Sequence, residues 1–241
     1  MPFIRGPRGR IFENRVLKPT VAQAQVDWDK PDAQGLVAWW LFNEGGGNRA
    51  FDVTGNGWHG TTVNSPVWAA GLHGPAIDLE LSSDQYVNTQ LFTTGFTGLS
   101  CIAWVWFESI VTGAGNYIIC QEDDAGKRPF VLRQMTGRFQ FLTNSTGVNA
   151  AITIPTTGIW YHVAGTWDSA NNRLYVNGIL EDTDAQSGAL QTGDNPVRLG
   201  EGTTYTGRQW DGILEQIMIF NRALGPSEIM RRFLEPYGLL I

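Results

Sequence analysis

A chain of 241 residues with 29 Gly, ten Trp and an aromatic share of 12% has the make-up of many short strands joined by tight turns, and such sandwiches reach roughly 200 to 250 residues as one domain. Charged residues at 17% fall below the ~25% usual for soluble domains, which excludes a chain disordered over most of its length. The formal net charge of −6 is unevenly placed and excludes a body built to bind nucleic acid.

Residues 1 to 34 read as an extended basic arm. Arg5, Arg8, Arg10, Arg15 and Lys18 stand against Glu13, giving +4 before residue 27 and −10 beyond it. Pro2, Pro7, Pro19 and Pro31 interrupt the arm, and it has no sustained apolar period of either kind. Short apolar pairs (Phe3-Ile4, Ile11-Phe12, Val16-Leu17) stand between the arginines as possible anchors. A basic strap on an acidic body predicts docking on an acidic surface of another subunit, hence a homo-oligomer or a larger assembly. No continuous apolar stretch of the secretory type lies in the first 30 residues. No run approaches the ~18 apolar residues of a membrane helix. A protein that reaches an extracellular assembly such as a virion without a signal peptide is expected, or otherwise a cytoplasmic one.

From Gly35 to Leu224 the pattern is that of strands. They are expected at 36–42, 58–63, 75–80, 85–88, 99–108, 116–121, 129–134, 138–143, 150–154, 160–167, 173–177, 197–200 and 212–220, separated by Gly, Asn and Asp turns. Trp104 and Trp106 stand two apart and share one face, with Cys101, Ala103, Val105 and Phe107 on the other. Two apolar faces mark a strand covered on both sides. Trp160 to Gly178 predicts a hairpin whose second arm alternates Leu174 and Val176 with Arg173, Tyr175 and Asn177. The chain closes with a short helix from Pro226, which has Glu228 in its first turn and Arg231 and Arg232 at its far end. The tail Leu239-Leu240-Ile241 is apolar. The three parts expected are an arm (1–34), an all-β two-sheet antiparallel sandwich (35–224) and a helix with tail packed on it (225–241).

The wording Trp160-Tyr161-His162-Val163-Ala164 followed by Leu174-Tyr175-Val176-Asn177-Gly178 resembles the laminin-G-like branch of the concanavalin-A-like jelly rolls. Three further blocks agree in order: 35–60, the strands at 99–105 and 118–119, and 212–224. The resemblance covers about residues 35 to 230 and implies a jelly roll. It also implies a calcium site at one rim, which the matching blocks supply as Glu44, Asp52, Asn56, Asp78 and Glu215. At the closing strand Leu214-Glu215-Gln216 stands where the family has Ile-Asp-Glu. Glu215 alternates with Ile217 and Ile219, so it is expected to point inward, as a calcium ligand or as a hydrogen-bonded structural carboxylate.

Sugar recognition needs aromatic faces with amides and carboxylates beside them. Trp58, Trp68, Tyr86, Tyr205 and Trp210 lie in or beside loops and are the candidates, although most tryptophans of a sandwich this size are packing residues. No strand carries the alternating carboxylates of a glycan-cleaving enzyme. Glu122-Asp123-Asp124 lies in a turn, and no Gly-x-Ser-x-Gly elbow accompanies His59, His73 or His162. No catalytic residue is therefore expected. Cys101 and Cys120 fall on runs expected to pair as neighbours; a disulfide is conceivable there, and two buried thiols are the plainer expectation. Three readings follow: a non-catalytic structural or adhesive sandwich displayed on an assembly such as a phage capsid or tail and held by its arm; a free calcium-assisted lectin for surface glycans; and, third, a glycoside hydrolase.

Overall fold

The computed structural model describes residues 18–110, 115–123, 126–202 and 207–241, with 146–149 as backbone only. Arg5, Arg8, Arg10, Arg15 and Tyr205 lie outside the described residues. Among those described, sixteen strands form two eight-stranded antiparallel sheets. The strands are β1 (Leu36–Trp40), β2 (Arg49–Ala50), β3 (Gly60–Val63), β4 (Val67–Ala70), β5 (Pro75–Leu79), β6 (Tyr86–Asn88), β7 (Leu99–Phe107), β8 (Asn116–Gln121), β9 (Phe130–Met135), β10 (Arg138–Thr143), β11 (Thr146–Ala150), β12 (Trp160–Trp167), β13 (Asn171–Val176), β14 (Ile179–Ala185), β15 (Arg198–Leu199) and β16 (Gly212–Phe220). The first sheet runs β14-β13-β12-β7-β16-β5-β4, with β1 also on β16. The second runs β11-β10-β9-β8-β15-β6-β3-β2. The fold is a jelly-roll sandwich with one α-helix among the described residues, α1 (Pro226–Leu234).

The core between the sheets is built as the period-two pattern requires. Cys101, Ala103, Val105 and Phe107 of β7 meet Ile119, Leu132, Phe139 and Phe141 of the second sheet in one buried cluster. Burying such side chains contributes about 1.5–3 kcal/mol each. Gly165 on β12 is required by this contact. A Cβ there would lie 2.2 Å from the Phe141 ring, so the facing sheet rests directly on the strand's backbone. β7 is central, flanked by β12 and β16, and its alternate residues Ile102 and Trp104 are buried on the far side.

That far side explains the chain ends. Ala24, Val26 and Ala33 from the N-terminal segment, Ile229 of α1, and Tyr237, Leu239 and Leu240 of the tail form a second cluster with Trp39, Ile102, Met218 and Phe220 on the outer face of the first sheet. Val26 bridges Leu240, and Arg231 and Arg232 reach Asp32 at 2.7 and 3.4 Å. α1 is set by Pro226 in its first turn and by Glu228, whose carboxylate accepts the Gly225 N–H at 2.9 Å. The stretch 18–34, expected as arm, thus lies on its own body, and Lys18 is buried there instead of facing a partner.

Other departures have local causes. β14 was not expected, because Glu181, Asp182 and Asp184 hide its period; it is an edge strand, where charges are tolerated and guard against edge pairing. β2 and β4 are too short or too small-sided to read. β11 ends at Ala150 rather than starting there. The hairpin loop is tighter than expected: Asp168 Oδ1 accepts the N–H groups of Ala170 and Asn171, and β13 resumes at Asn171. The strands carrying Cys101 and Cys120 belong to opposite sheets, and both thiols are free and buried.

His162 on β12 is fully buried beneath α1, 5.4 Å from the Trp104 ring and 5.8 Å from Phe233. Neither ring nitrogen has a partner. Burial, with Arg232 nearby, pushes its pKa down from 6.5 to about 3. Below pH 6.5 the unfolded chain takes up a proton that the folded chain refuses, so stability falls as pH drops toward 3, at up to roughly 1.4 kcal/mol per pH unit. Denaturant midpoints measured from pH 7 to 4 should show this slope, and His162→Leu should flatten it; an unchanged slope would clear His162 of the effect.

Candidate functional site

The five residues expected to share a cation do not converge. Glu215 sits at a β-bulge, where the register of β16 against β7 shifts between Leu214 and Gln216. The extra residue takes its carboxylate out of alternation with Ile217 and Ile219 and onto the outer face, toward Tyr237. There it is fully buried and surrounded by donors. Lys18 Nζ lies 3.5 Å away, the N–H groups of Leu72 and His73 donate at 3.2 and 2.8 Å, His73 Nδ1 lies at 3.1 Å and Tyr237 Oη donates at 3.3 Å. Although burial works against it, the hydrogen bond from His73 and the Lys18 charge hold the Glu215 carboxyl below the usual range. Burial lowers Lys18 to about 8. Its ammonium also donates to the carbonyls of Pro75 and Glu215.

Glu44 accepts the Phe51 N–H at 2.6 Å. Asp52 accepts from the N–H groups of Trp39, Thr54 and Trp58 and from the Thr54 hydroxyl, while Asn56 donates to the Val37 carbonyl. These side chains pin the loop between β1 and β3. Asp78 lies elsewhere, with Glu80 and Glu108, in the one group of three or more potential metal-ligating side chains among the described residues whose ligand atoms approach within 4.8 Å. Burial, then the charges of Glu108, Glu80 and Asp211, push Asp78 up to about 6. The calcium set implied by the resemblance therefore does not fit as a single site.

The aromatic candidates also divide. Trp210 is fully buried with its ring centroid 4.5 Å from that of Phe107, a core residue and not a sugar platform. Trp58 packs against the core and its carbonyl accepts from Trp40 Nε1. Trp68, on the edge strand β4, donates to the Gly47 carbonyl. Tyr86 is different, because it stands on the outer face of the second sheet.

That face is not covered by any helix or strand among the described residues. Its register is legible from the pairings. Leu142, Val131, Cys120, Arg198, Asn88, Thr61 and Arg49 make one continuous row across β10, β9, β8, β15, β6, β3 and β2. Tyr117, Arg133 and Gln140 make a second, shorter row on β8, β9 and β10. Arg133 donates to Gln140 Oε1 at 3.1 Å and to Tyr117 Oη at 3.1 Å; Arg208 reaches the same phenol oxygen at 2.8 Å. Arg198 lies over the Tyr86 ring at 4.8 Å and pairs with Glu201 at 2.6 Å. Glu201, which also accepts from Gln209, is raised chiefly by burial. Asn88 Oδ1 and Arg198 Nε are buried atoms without partners, and polar atoms in that condition mark places where a ligand or water completes the bonding. Chain-order reading missed these arginines because they are scattered singly from residue 49 to residue 208.

The comparisons agree with this architecture. A family model described as the concanavalin A-like lectin/glucanases superfamily matches residues 81–230, and the chain belongs to that superfamily. No curated protein matches the sequence. Among solved structures, domain 4 of AbnA, a GH43 extracellular arabinanase from Geobacillus stearothermophilus in complex with arabinotriose, is similar at TM-score 0.66 and 21% identity, over 81% of this chain and 96% of that one. The binding domain of Paraclostridial mosquitocidal protein 1 is similar at TM-score 0.60 and 17% identity, over 83% and 52%. Trypanosoma rangeli sialidase is similar at TM-score 0.61 and 15% identity, over 85% and 33%. The chain thus spans about half of the toxin domain's length and a third of the sialidase's. At these identities the likeness is one of fold, shared by binding domains and by chains named for glycosidases.

Glu215→Gln should leave Lys18 buried opposite a neutral amide and lower stability by about 3–5 kcal/mol, read from urea denaturation at pH 7. Adding a chelator to the native protein should move Tm by less than about 1 °C, since a cation held by the native state would add RT ln(1 + [L]/Kd) to its stability. A large chelator effect would instead place a cation at Asp78, Glu80 and Glu108.

Proposed function

We propose that this chain is a non-catalytic, lectin-like module that binds glycans on the outer face of its second sheet. The observation that carries the reading is the Tyr86–Asn88–Arg198 group. An incompletely buried aromatic ring, an amide with an unpaired oxygen and a guanidinium sit side by side on a face that no helix or strand among the described residues covers. Sugars present C–H surfaces to aromatic rings and hydroxyls to amides and charged groups, so these side chains suit them. The carbohydrate held by one similar structure, arabinotriose, supports the same reading. Two carboxylates near this face, Glu122 and Glu201, are each tied to an arginine, at 2.8 Å to Arg128 and 2.6 Å to Arg198. Hydrolysis needs one carboxylic acid free to give its proton and a second free to attack or to activate water.

In the finer form of the proposal the module is displayed on a larger protein assembly of the virion kind, held by the basic segment that precedes Lys18. Four arginines before residue 18 against a single glutamate, joined to an acidic body, are the basis for it. Calcium has no place in the reading.

Binding of neutral and charged oligosaccharides by calorimetry tests the first part. Tyr86→Ala and Asn88→Ala should each weaken binding by about tenfold while leaving Tm within a few degrees, and an unaltered affinity in both would dismiss this face. Deleting residues 1–17 should leave a folded, sugar-binding body that no longer joins the assembly; normal incorporation of the truncated chain would refute the tether.

A further inference from the structure

Taking the glycan reading of the second sheet's outer face as its basis, we infer that the ligand is an acidic glycan, whose anionic ring substituent is held between Arg133 and Arg198. Three observations lead there. First, charge is distributed against the trend of the body. Of the twelve Lys and Arg residues beyond Lys18, four stand on this face's strands (Arg49, Arg133, Arg138 and Arg198), and Arg208 reaches it from a loop.

Second, Arg133 is only 6% exposed, yet its hydrogen bonds run to the neutral Gln140 amide and Tyr117 phenol, and among the described residues it forms no ion pair. Withdrawing a guanidinium from water without a counter-charge is costly, and proteins otherwise pair such groups. Arg138 and Arg49 form no ion pair among the described residues either; Arg138 donates to the carbonyls of Ala151 and Ile152, and Arg49 lies over the Phe51 ring. The face therefore holds positive charge that its own carboxylates do not balance.

Third, the unsatisfied atoms are of two kinds. Arg198 Nε is a donor without an acceptor, and Asn88 Oδ1, its cross-strand neighbour, is an acceptor without a donor. A carboxylate or sulfate oxygen meets the first and a sugar hydroxyl meets the second. A neutral sugar satisfies both but leaves Arg133 uncompensated. Both a uronate carboxylate and a sulfate ester supply the required chemistry, a delocalised oxyanion beside ring hydroxyls, and a guanidinium binds either through paired N–H donors.

The test uses the full chain with three probes: an oligogalacturonate, the same oligosaccharide with its carboxyls methyl-esterified, and a sulfated galacto-oligosaccharide. An oligodeoxynucleotide serves as the sugar-phosphate polyanion. The acidic probes should bind at least tenfold tighter than the ester, and the tighter of the two names the anion. Arg133→Gln and Arg198→Gln should bring the acid-to-ester ratio below about threefold. Should Arg133→Gln not fold, Arg198→Gln, at a half-buried position, carries the test with the exposed Arg49→Gln beside it. Equal affinities for acid and ester would overturn the acidic preference and leave the glycan reading standing. Binding of neither form would sink the glycan reading itself. Tighter binding of the oligodeoxynucleotide, or an acid preference that survives both substitutions, would also overturn the inference.

Discussion

The arrangement of this molecule depends on one buried carboxylate. Glu215 occupies an extra position in β16, and the resulting bulge turns it away from the sandwich interior and toward the back of the first sheet. A carboxylate cannot remain there unless its oxygens are satisfied. The donors come from three separate stretches of chain: Lys18, the 72–73 turn and Tyr237. The N-terminal segment and the C-terminal tail are thereby bound to the same sheet face. Their apolar residues then complete the cluster that includes Ile102, Met218 and Phe220. Electrostatic satisfaction chooses which surface the termini cover, and hydrophobic burial makes the cover stable.

The consequence is an asymmetric sandwich. One outer face is sealed by terminal segments and α1, whose Phe233 packs on Trp104 and His162. The other has no helix or strand over it among the described residues; the loop around Glu201 and Arg208 packs on its centre, where Tyr117, Cys120, Val131 and Leu142 are buried. On an antiparallel sheet with one buried face, the outward positions repeat with period two and line up across strands. Singly placed polar residues from distant parts of the chain therefore form rows. Arg49, Asn88 and Arg198 are aligned by strand register and by nothing closer in sequence. The positions of these side chains are set by the sheet and not by the loops.

This also accounts for what could and could not be read from the sequence. The apolar alternation of β7 revealed a doubly covered strand, and the aromatic hairpin at 160–178 revealed both family and topology, because each signal is contained within one or two strands. The inward direction of Glu215 failed, since alternation assumes an unbroken ladder and a single inserted residue reverses every inference past it. Trp210 was open to either reading because a loop position does not tell whether a ring turns inward; it lies on Phe107 in the core. The cross-strand row was invisible, since pairing β15 with both β6 and β8 joins residues 88, 120 and 198. The calcium set, carried over from a resemblance, placed side chains by loop order. In this chain Glu44, Asp52 and Glu215 have protein donors instead.

The contrast between two of the buried cations shows how a fold separates structure from recognition. Lys18 and Arg133 are each withdrawn almost completely from water. Lys18 meets a carboxylate and two carbonyls within its own chain, so its charge is used up in holding the terminus down. Arg133 meets one amide oxygen and one phenol, acceptors that orient the guanidinium without neutralising it. Removing an internal counter-charge from a cation destabilises the fold, whereas a cation whose counter-charge was never internal retains that interaction for whatever arrives. Lys18 serves the stability of the sealed face; under the proposed acidic-glycan reading, Arg133 would make the other face selective for negative charge.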